Sequence, residues 1–122
     1  MKIFFLLLLF PSLVYSTTYE CKVSRKLDFE NFYTTERLEQ GKFSVNIKDD
    51  KKSDIERCSF SPSQNKVTCD KYQVDRVEVD KWVGIKKFYF FKGQFDVQLF
   101  PDMTFIENNG RGGISYGKCE QL

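Results

Sequence analysis

One segment of the sequence decides the fold class: Ile55-Glu56-Arg57-Cys58-Ser59-Phe60-Ser61-Pro62-Ser63-Gln64-Asn65-Lys66-Val67-Thr68-Cys69-Asp70. Two short strand-like runs flank a loop of Ser, Pro, Gln and Asn, which are typical residues of hairpin loops. If Phe60 pairs with Val67, Cys58 lies directly opposite Cys69, so the strand register and a disulfide bond agree. The segment therefore predicts an antiparallel hairpin closed by a Cys58–Cys69 disulfide.

The residue composition extends this prediction to the whole chain of 122 residues. From Thr17 onward there are 8 Val, 5 Ile, 10 Phe and 5 Tyr, against 4 Leu and no Ala. Branched and aromatic side chains suit a pleated sheet, whereas Ala and Leu are leading helix formers. We expect a mainly β domain with about eight short antiparallel strands. These strands form a small barrel or, as the alternative, a β-sandwich.

Only the stretch from Lys26 to Gln40 does not follow a strand pattern. Its aromatic and acidic residues fall near helical spacing, and Gly41 could end a helix. The neighbouring threonines and aromatics suit an irregular strand equally well. The sequence leaves a short helix and a strand open here.

The four cysteines Cys21, Cys58, Cys69 and Cys119 indicate two disulfides in a short exported chain. Three pairings are possible. We prefer Cys58–Cys69 with Cys21–Cys119, because the second pair lies in the first and last predicted strands. A zinc site is the alternative, but no two cysteines have the short spacing that such sites use.

Residues 1–16 have the pattern of a secretory signal peptide: a lysine, the apolar run Ile3–Phe10, and small residues before a cleavage position after Ser16. The run is too short to span a bilayer. We therefore expect one β domain over residues 17–122, located in the periplasm or outside the cell, with no membrane association after cleavage.

The absence of histidine excludes the commonest catalytic and metal-binding arrangements. We expect no enzyme activity, no metal site and no cofactor, although a carboxylate-dependent hydrolase stays formally open. The net charge is +2 for the whole chain, which is not typical of nucleic-acid binding. We expect a monomer that binds an unknown protein or small molecule.

The candidate binding residues lie in a glycine-rich turn and in a second turn. The turn Asn108-Asn109-Gly110-Arg111-Gly112-Gly113 could form a backbone anion cradle in which the Arg111 side chain binds a carboxylate or phosphate, and the alternative is a tight hairpin turn. Trp82 is a candidate exposed anchor. The dense phenylalanines could line a cavity for a small apolar ligand, or pack as a solid core.

Tyr19-Glu20-Cys21 near the start and Tyr116-Gly117-Lys118-Cys119 near the end give a layout that resembles small exported bacterial β proteins of unknown function. Gly113-Ile114-Ser115-Tyr116 resembles the Gly-x-x-Tyr part of the loop by which periplasmic inhibitors of C-type lysozyme enter the enzyme cleft. Gly112 stands where that family has serine.

The first hypothesis is therefore a non-enzymatic binding module that is stabilised by disulfides. One alternative is a lysozyme-type hydrolase inhibitor acting through the Asn108–Tyr116 loop. Another is a lipocalin-like carrier of a small apolar ligand.

Overall fold

The computed structural model describes residues 16–122 of the chain. The predicted signal peptide therefore lies almost entirely outside the described residues. The described part is mainly β, with 60% of it in strands and one short helix, as the composition predicts. The elements in chain order are β1 (Thr17–Asp28), β2 (Asn31–Phe32), α1 (Thr35–Gly41), β3 (Ser44–Asp49), β4 (Asp54–Ser61), β5 (Lys66–Gln73), β6 (Arg76–Val79), β7 (Lys86–Phe90), β8 (Phe95–Leu99), β9 (Thr104–Asn108) and β10 (Gly113–Gln121).

The strands form one antiparallel sheet that curls into a half-barrel. Its strand order is β5-β4-β3-β1-β10-β9-β8-β7-β6, with β2 added beside β1. The first and last long strands are neighbours near the centre of this order. The open seam falls between β5 and β6, which are consecutive in the chain. Val74 and Asp75 connect these two edge strands.

Both predicted disulfides are present. Cys21 lies opposite Cys119 in the β1–β10 ladder, and Cys58 lies opposite Cys69 in the β4–β5 ladder. Phe60 pairs with Val67 as the hairpin segment predicts. Each disulfide therefore links two adjacent strands, and together they indicate folding in an oxidising, non-cytoplasmic environment.

The ambiguous stretch from Lys26 to Gln40 contains both kinds of element. β1 continues through Asp28, and α1 begins only after the N-cap Thr34, whose Oγ1 accepts a hydrogen bond from the backbone N–H of Arg37 at 3.2 Å. Lys42, in the left-handed conformation with φ of 46°, ends the helix. Gly41 is the last helical residue, and a side chain at this position would overlap the ring of Phe43.

The core lies on the inner face of the curled sheet. Strand alternation places Ile47 and Ile55 from one half of the sheet against Phe88, Val97 and Phe105 from the other half, and all five are 0–1% exposed. The disulfide between β1 and β10 lies in the same cluster. This packing fixes how the two halves face each other and leaves a polar region beside it.

Candidate functional site

A β-bulge in β1 turns a lysine into the half-barrel. Val23 pairs with Gly117, but the next ladder pair is Arg25 with Tyr116, so Ser24 is an extra residue. The bulge shifts the alternation by one position. Lys26 consequently lies opposite the buried Ser115 on the inner face.

Two further ionisable groups occupy inward positions of their strands. Arg57 lies two residues after the buried Ile55 in β4, and Glu107 lies two residues after the buried Phe105 in β9. An Arg57 Nη2 atom lies 2.8 Å from Glu107 Oε1. The guanidinium also lies 5.0 Å from the centre of the Phe95 ring. This ion pair joins the two halves of the curled sheet across its interior.

The Arg57–Glu107 pair is buried unevenly. The side chain of Glu107 is 4% exposed and that of Arg57 is 30% exposed. A buried charge is tolerated only when it is paired and hydrogen-bonded. The buried charge of Glu107 is therefore stabilised by Arg57. The guanidinium of Arg57, in contrast, remains accessible to water and to any bound molecule.

These groups line a cavity of about 210 Å³. Its walls also carry Lys26 and Ser115, and its other lining residues are Val23, Phe43, Ser44, Val45, Cys58, Ser59, Asp70 and Tyr72. Water occupies about 30 Å³ per molecule in the liquid, so the space suits a small molecule or several waters.

Lys26 and Asp70 are the two charged residues of this lining that form no salt bridge within residues 16–122. The Nζ of Lys26 donates to Ser115 Oγ at 3.4 Å and lies 4.8 Å from the centre of the Phe43 ring. Within residues 16–122, no carboxylate forms a salt bridge with it. Burial lowers the pKa of Lys26 below its ordinary 10.5, while the Glu107 carboxylate opposes this effect and Arg57 adds to it. An anion in the cavity would relieve the cost of burying the ammonium group.

The glycine-rich turn between β9 and β10 is a closed hairpin tip. The side-chain oxygen of Asn109 accepts hydrogen bonds from the N–H groups of Arg111 at 2.7 Å and Gly113 at 2.9 Å. The carbonyl of Gly112 accepts one from Phe29, whose ring packs against this glycine. The N–H of Asn109 also donates to the carbonyl of Gly113, so three amides of the predicted anion cradle, those of Asn109, Arg111 and Gly113, are already bonded; the side chain of Arg111 is exposed.

The structure separates the remaining predicted binding residues. Gly113-Ile114-Ser115-Tyr116 lies within β10, paired with β9 on one side and β1 on the other, and not in a loop. Tyr116 points to the outer face, where the guanidinium of Arg25 lies 5.9 Å from its ring centre. Trp82 lies in the turn after β6 and is 88% exposed. Neither Tyr116 nor Trp82 lines the cavity with Lys26 and Arg57.

The phenylalanines pack mainly as a core. Phe88, Phe95 and Phe105 are 0–4% exposed, and Phe90 and Phe95 enclose Tyr72 with ring centres 5.2 and 5.5 Å away. Phe43 is the phenylalanine that reaches the cavity wall. The space therefore has a charged lining in place of the aromatic lining that an apolar ligand requires.

The acidic residues of β3 and β4, namely Asp49, Asp54 and Glu56, do not line this cavity and make their contacts elsewhere. Asp49 pairs with Lys86, and Asp54 lies 3.7 Å from Lys71. Glu56 lies near Cys58 and Cys69, but both cysteines are joined in a disulfide and supply no thiolate to a metal.

The cavity residues escaped the sequence prediction, although two of them left a signal. Arg57 and Glu107 are charges of opposite sign at inward positions of alternating strands, where apolar residues are the rule. Lys26 left no such signal, because only the bulge at Ser24 turns it inward.

Within residues 16–122, no helix has the length and apolar character needed to cross a bilayer. Comparison of the chain with protein-family models, curated proteins and solved structures found no match.

Proposed function

We propose that this protein is an exported, non-enzymatic binding module that holds a small anionic molecule in the cavity of the half-barrel. It acts in the periplasm or outside the cell. The observation that carries the proposal is the half-buried Lys26 ammonium, which faces the cavity without a carboxylate partner. Ser115 and Arg57 stand beside it as further donors.

The chemistry of the lining favours a carboxylate or phosphate group as the recognised part of the ligand. Lys26 has donors beyond the one directed at Ser115, and Arg57 has N–H groups beyond those at Glu107. Hydrogen bonds between charged groups are the strongest available in such a site. The carboxylate of Asp70, at the cavity wall, disfavours ligands that carry several negative charges.

The test is isothermal titration calorimetry of the oxidised protein with acetate, succinate and inorganic phosphate. We expect at least one of these anions to bind, and Lys26→Met to weaken that binding by about tenfold or more. Lys22→Met is the matched control, since it removes the same charge from the same strand on the exposed outer face. It should leave binding unchanged.

The pH dependence gives an independent readout. Because burial lowers the pKa of Lys26, a bound anion raises that pKa again. Binding in alkaline solution should therefore take up protons, and affinity should fall as pH rises through the pKa of Lys26. No binding of any of the three anions, or equal loss in Lys26→Met and Lys22→Met, would contradict the proposal.

A second candidate is an inhibitor of a lysozyme-type hydrolase that acts through the Asn108–Tyr116 hairpin. The specific observation in its favour is the exposed Arg111 on a turn held rigid by Asn109. Inhibition of a C-type lysozyme that disappears in Arg111→Ala would support this function. Full lysozyme activity in the presence of excess protein would remove it.

A further inference from the structure

Four charged side chains line the cavity, and their formal charges cancel. Lys26 and Arg57 are cationic, whereas Asp70 and Glu107 are anionic. Arg57 and Glu107 neutralise each other at 2.8 Å. Within residues 16–122, neither Lys26 nor Asp70 has a salt-bridge partner. The cavity therefore presents the ammonium group of Lys26 and the carboxylate of Asp70 to a ligand.

The strand register places these two charges at opposite ends of a row of polar side chains. Asp70 lies opposite Arg57 in the β4–β5 ladder, so the two side chains project from the same face. At the other end of the row, Ser115 lies between Glu107 on β9 and Lys26 on β1. The Arg57–Glu107 ion pair joins these two ladder segments across the interior. The ion pair and Ser115 therefore stand between Lys26 and Asp70 and keep the two unpaired charges apart.

The Asp70 end of this row is suited to a cation. Tyr72 lies two residues further along β5, on the same face as Asp70, and it also lines the cavity. A carboxylate attracts an ammonium group by its charge, and the face of an aromatic ring attracts a cation as well. Asp70 is exposed and Lys26 is half-buried, so the cationic end of a ligand would be the end nearer to solvent.

We propose that the ligand of this cavity is a zwitterion whose carboxylate binds Lys26 and whose ammonium group binds Asp70. The inference rests on the proposed function, because Lys26 is the anion-binding group in both. A bound monoanion would leave the occupied cavity with a net negative charge, whereas a zwitterion keeps it neutral and pairs both remaining charges. The separation of Lys26 from Asp70 favours a linear amino acid with several carbon atoms between its charged groups. The cavity volume of about 210 Å³ accommodates a molecule of that size.

The test is isothermal titration calorimetry of the oxidised protein with two matched pairs of ligands: γ-aminobutyrate against butyrate, and ε-aminocaproate against caproate. The ligands of each pair differ only in the terminal ammonium group. We expect at least one amino acid to bind about fivefold or more tightly than its plain carboxylate, which is the gain from a partly exposed ion pair. Glycine should show no such gain over acetate, because its two charged groups are too close together to reach both residues.

Two variants assign the gain to Asp70. Asp70→Asn should remove the gain and strengthen the binding of butyrate, because it keeps the size of the side chain and removes a repelling carboxylate. Asp96→Asn is the matched control, since it makes the same change between the buried Phe95 and Val97, on the outer face of β8 and outside the cavity lining. The gain should persist in this control.

The outcomes separate this inference from the proposed function. Amino acids that bind no more tightly than the plain carboxylates would overturn the zwitterion and leave the anion site standing. So would a gain that persists in Asp70→Asn, a gain that Asp96→Asn removes equally, or a gain of the same size for glycine. No binding of any of these ligands would overturn the inference and the proposed function together.

Discussion

Replacing Arg57 by methionine removes the guanidinium 2.8 Å from Glu107 and leaves that carboxylate almost wholly buried. Breaking a buried ion pair in this way costs about 3–5 kcal/mol of unfolding free energy, and the nearby charge of Lys26 places the loss near 3 kcal/mol. Glu107→Met should cost less, about 1–2 kcal/mol, because the partly exposed guanidinium can turn to water while it stays over the Phe95 ring.

The double variant Arg57→Met/Glu107→Met tests whether the cost of each single variant comes from the unpaired charge that it leaves behind. Apolar side chains of similar length in place of both charges should bring stability within about 1 kcal/mol of the parent. Urea unfolding followed by far-UV circular dichroism measures all three variants, since Trp82 is too exposed to report on the core. Arg76→Met is the control and should stay within about 0.5 kcal/mol. A double variant that loses the sum of the two single effects would refute the interpretation.

Three further changes test the sheet and its turns. Replacing Cys58 and Cys69 by serine opens a loop of sequence separation 11, and should lower the unfolding free energy by about 3 kcal/mol in denaturant titrations; a loss under about 1 kcal/mol would contradict the chain-entropy account. Gly117→Ala should prevent or severely weaken folding, because its methyl group would overlap the carbonyl of the facing β1 strand, and normal thermal unfolding would contradict this close approach. The N–H of Val83 donates a hydrogen bond to the Asp80 carboxylate at 2.7 Å and holds the pKa of Asp80 below its ordinary 3.8. The ionised carboxylate therefore stabilises the fold at pH values above 3.8. This contribution is lost as pH falls through the lowered pKa. Asp80→Asn should remove this dependence from acid unfolding curves while it keeps the turn, and an unchanged acid limb would show that the carboxylate plays no such part.

Local patterns were sufficient for most of the strand predictions. The Ile55–Asp70 hairpin carries its own register, because its loop length, its paired apolar residues and its two cysteines all require the same alignment. The turn after Asn108 follows equally from its glycines and asparagines. In each case the residues that decide the structure are close together in the chain.

Local patterns did not predict the open seam of the half-barrel. Joining the first and last strands by Cys21–Cys119 was compatible with a closed barrel and with a sandwich. In the structure that disulfide lies near the centre of the strand order, and the sheet stays open between β5 and β6. Whether two edges meet depends on the curl summed over all the strands, and no short segment contains that information.

The candidate site also depends on features that short-range sequence patterns do not contain. The sequence pointed to Arg111 and Trp82, which the structure exposes on separate turns. It did not identify Lys26, because a strand pattern read with unbroken alternation gives the wrong face after the bulge at Ser24.

The sequence by itself determined the β class, the hairpin register with its Cys58–Cys69 pairing and the position of most turns, since each depends on residue type and on short-range spacing. Only the tertiary structure decided the open seam, the inward direction of Lys26 and the meeting of Arg57 with Glu107. These features arise where the two halves of a curled sheet face each other, so they depend on pairs of residues that are far apart in the chain.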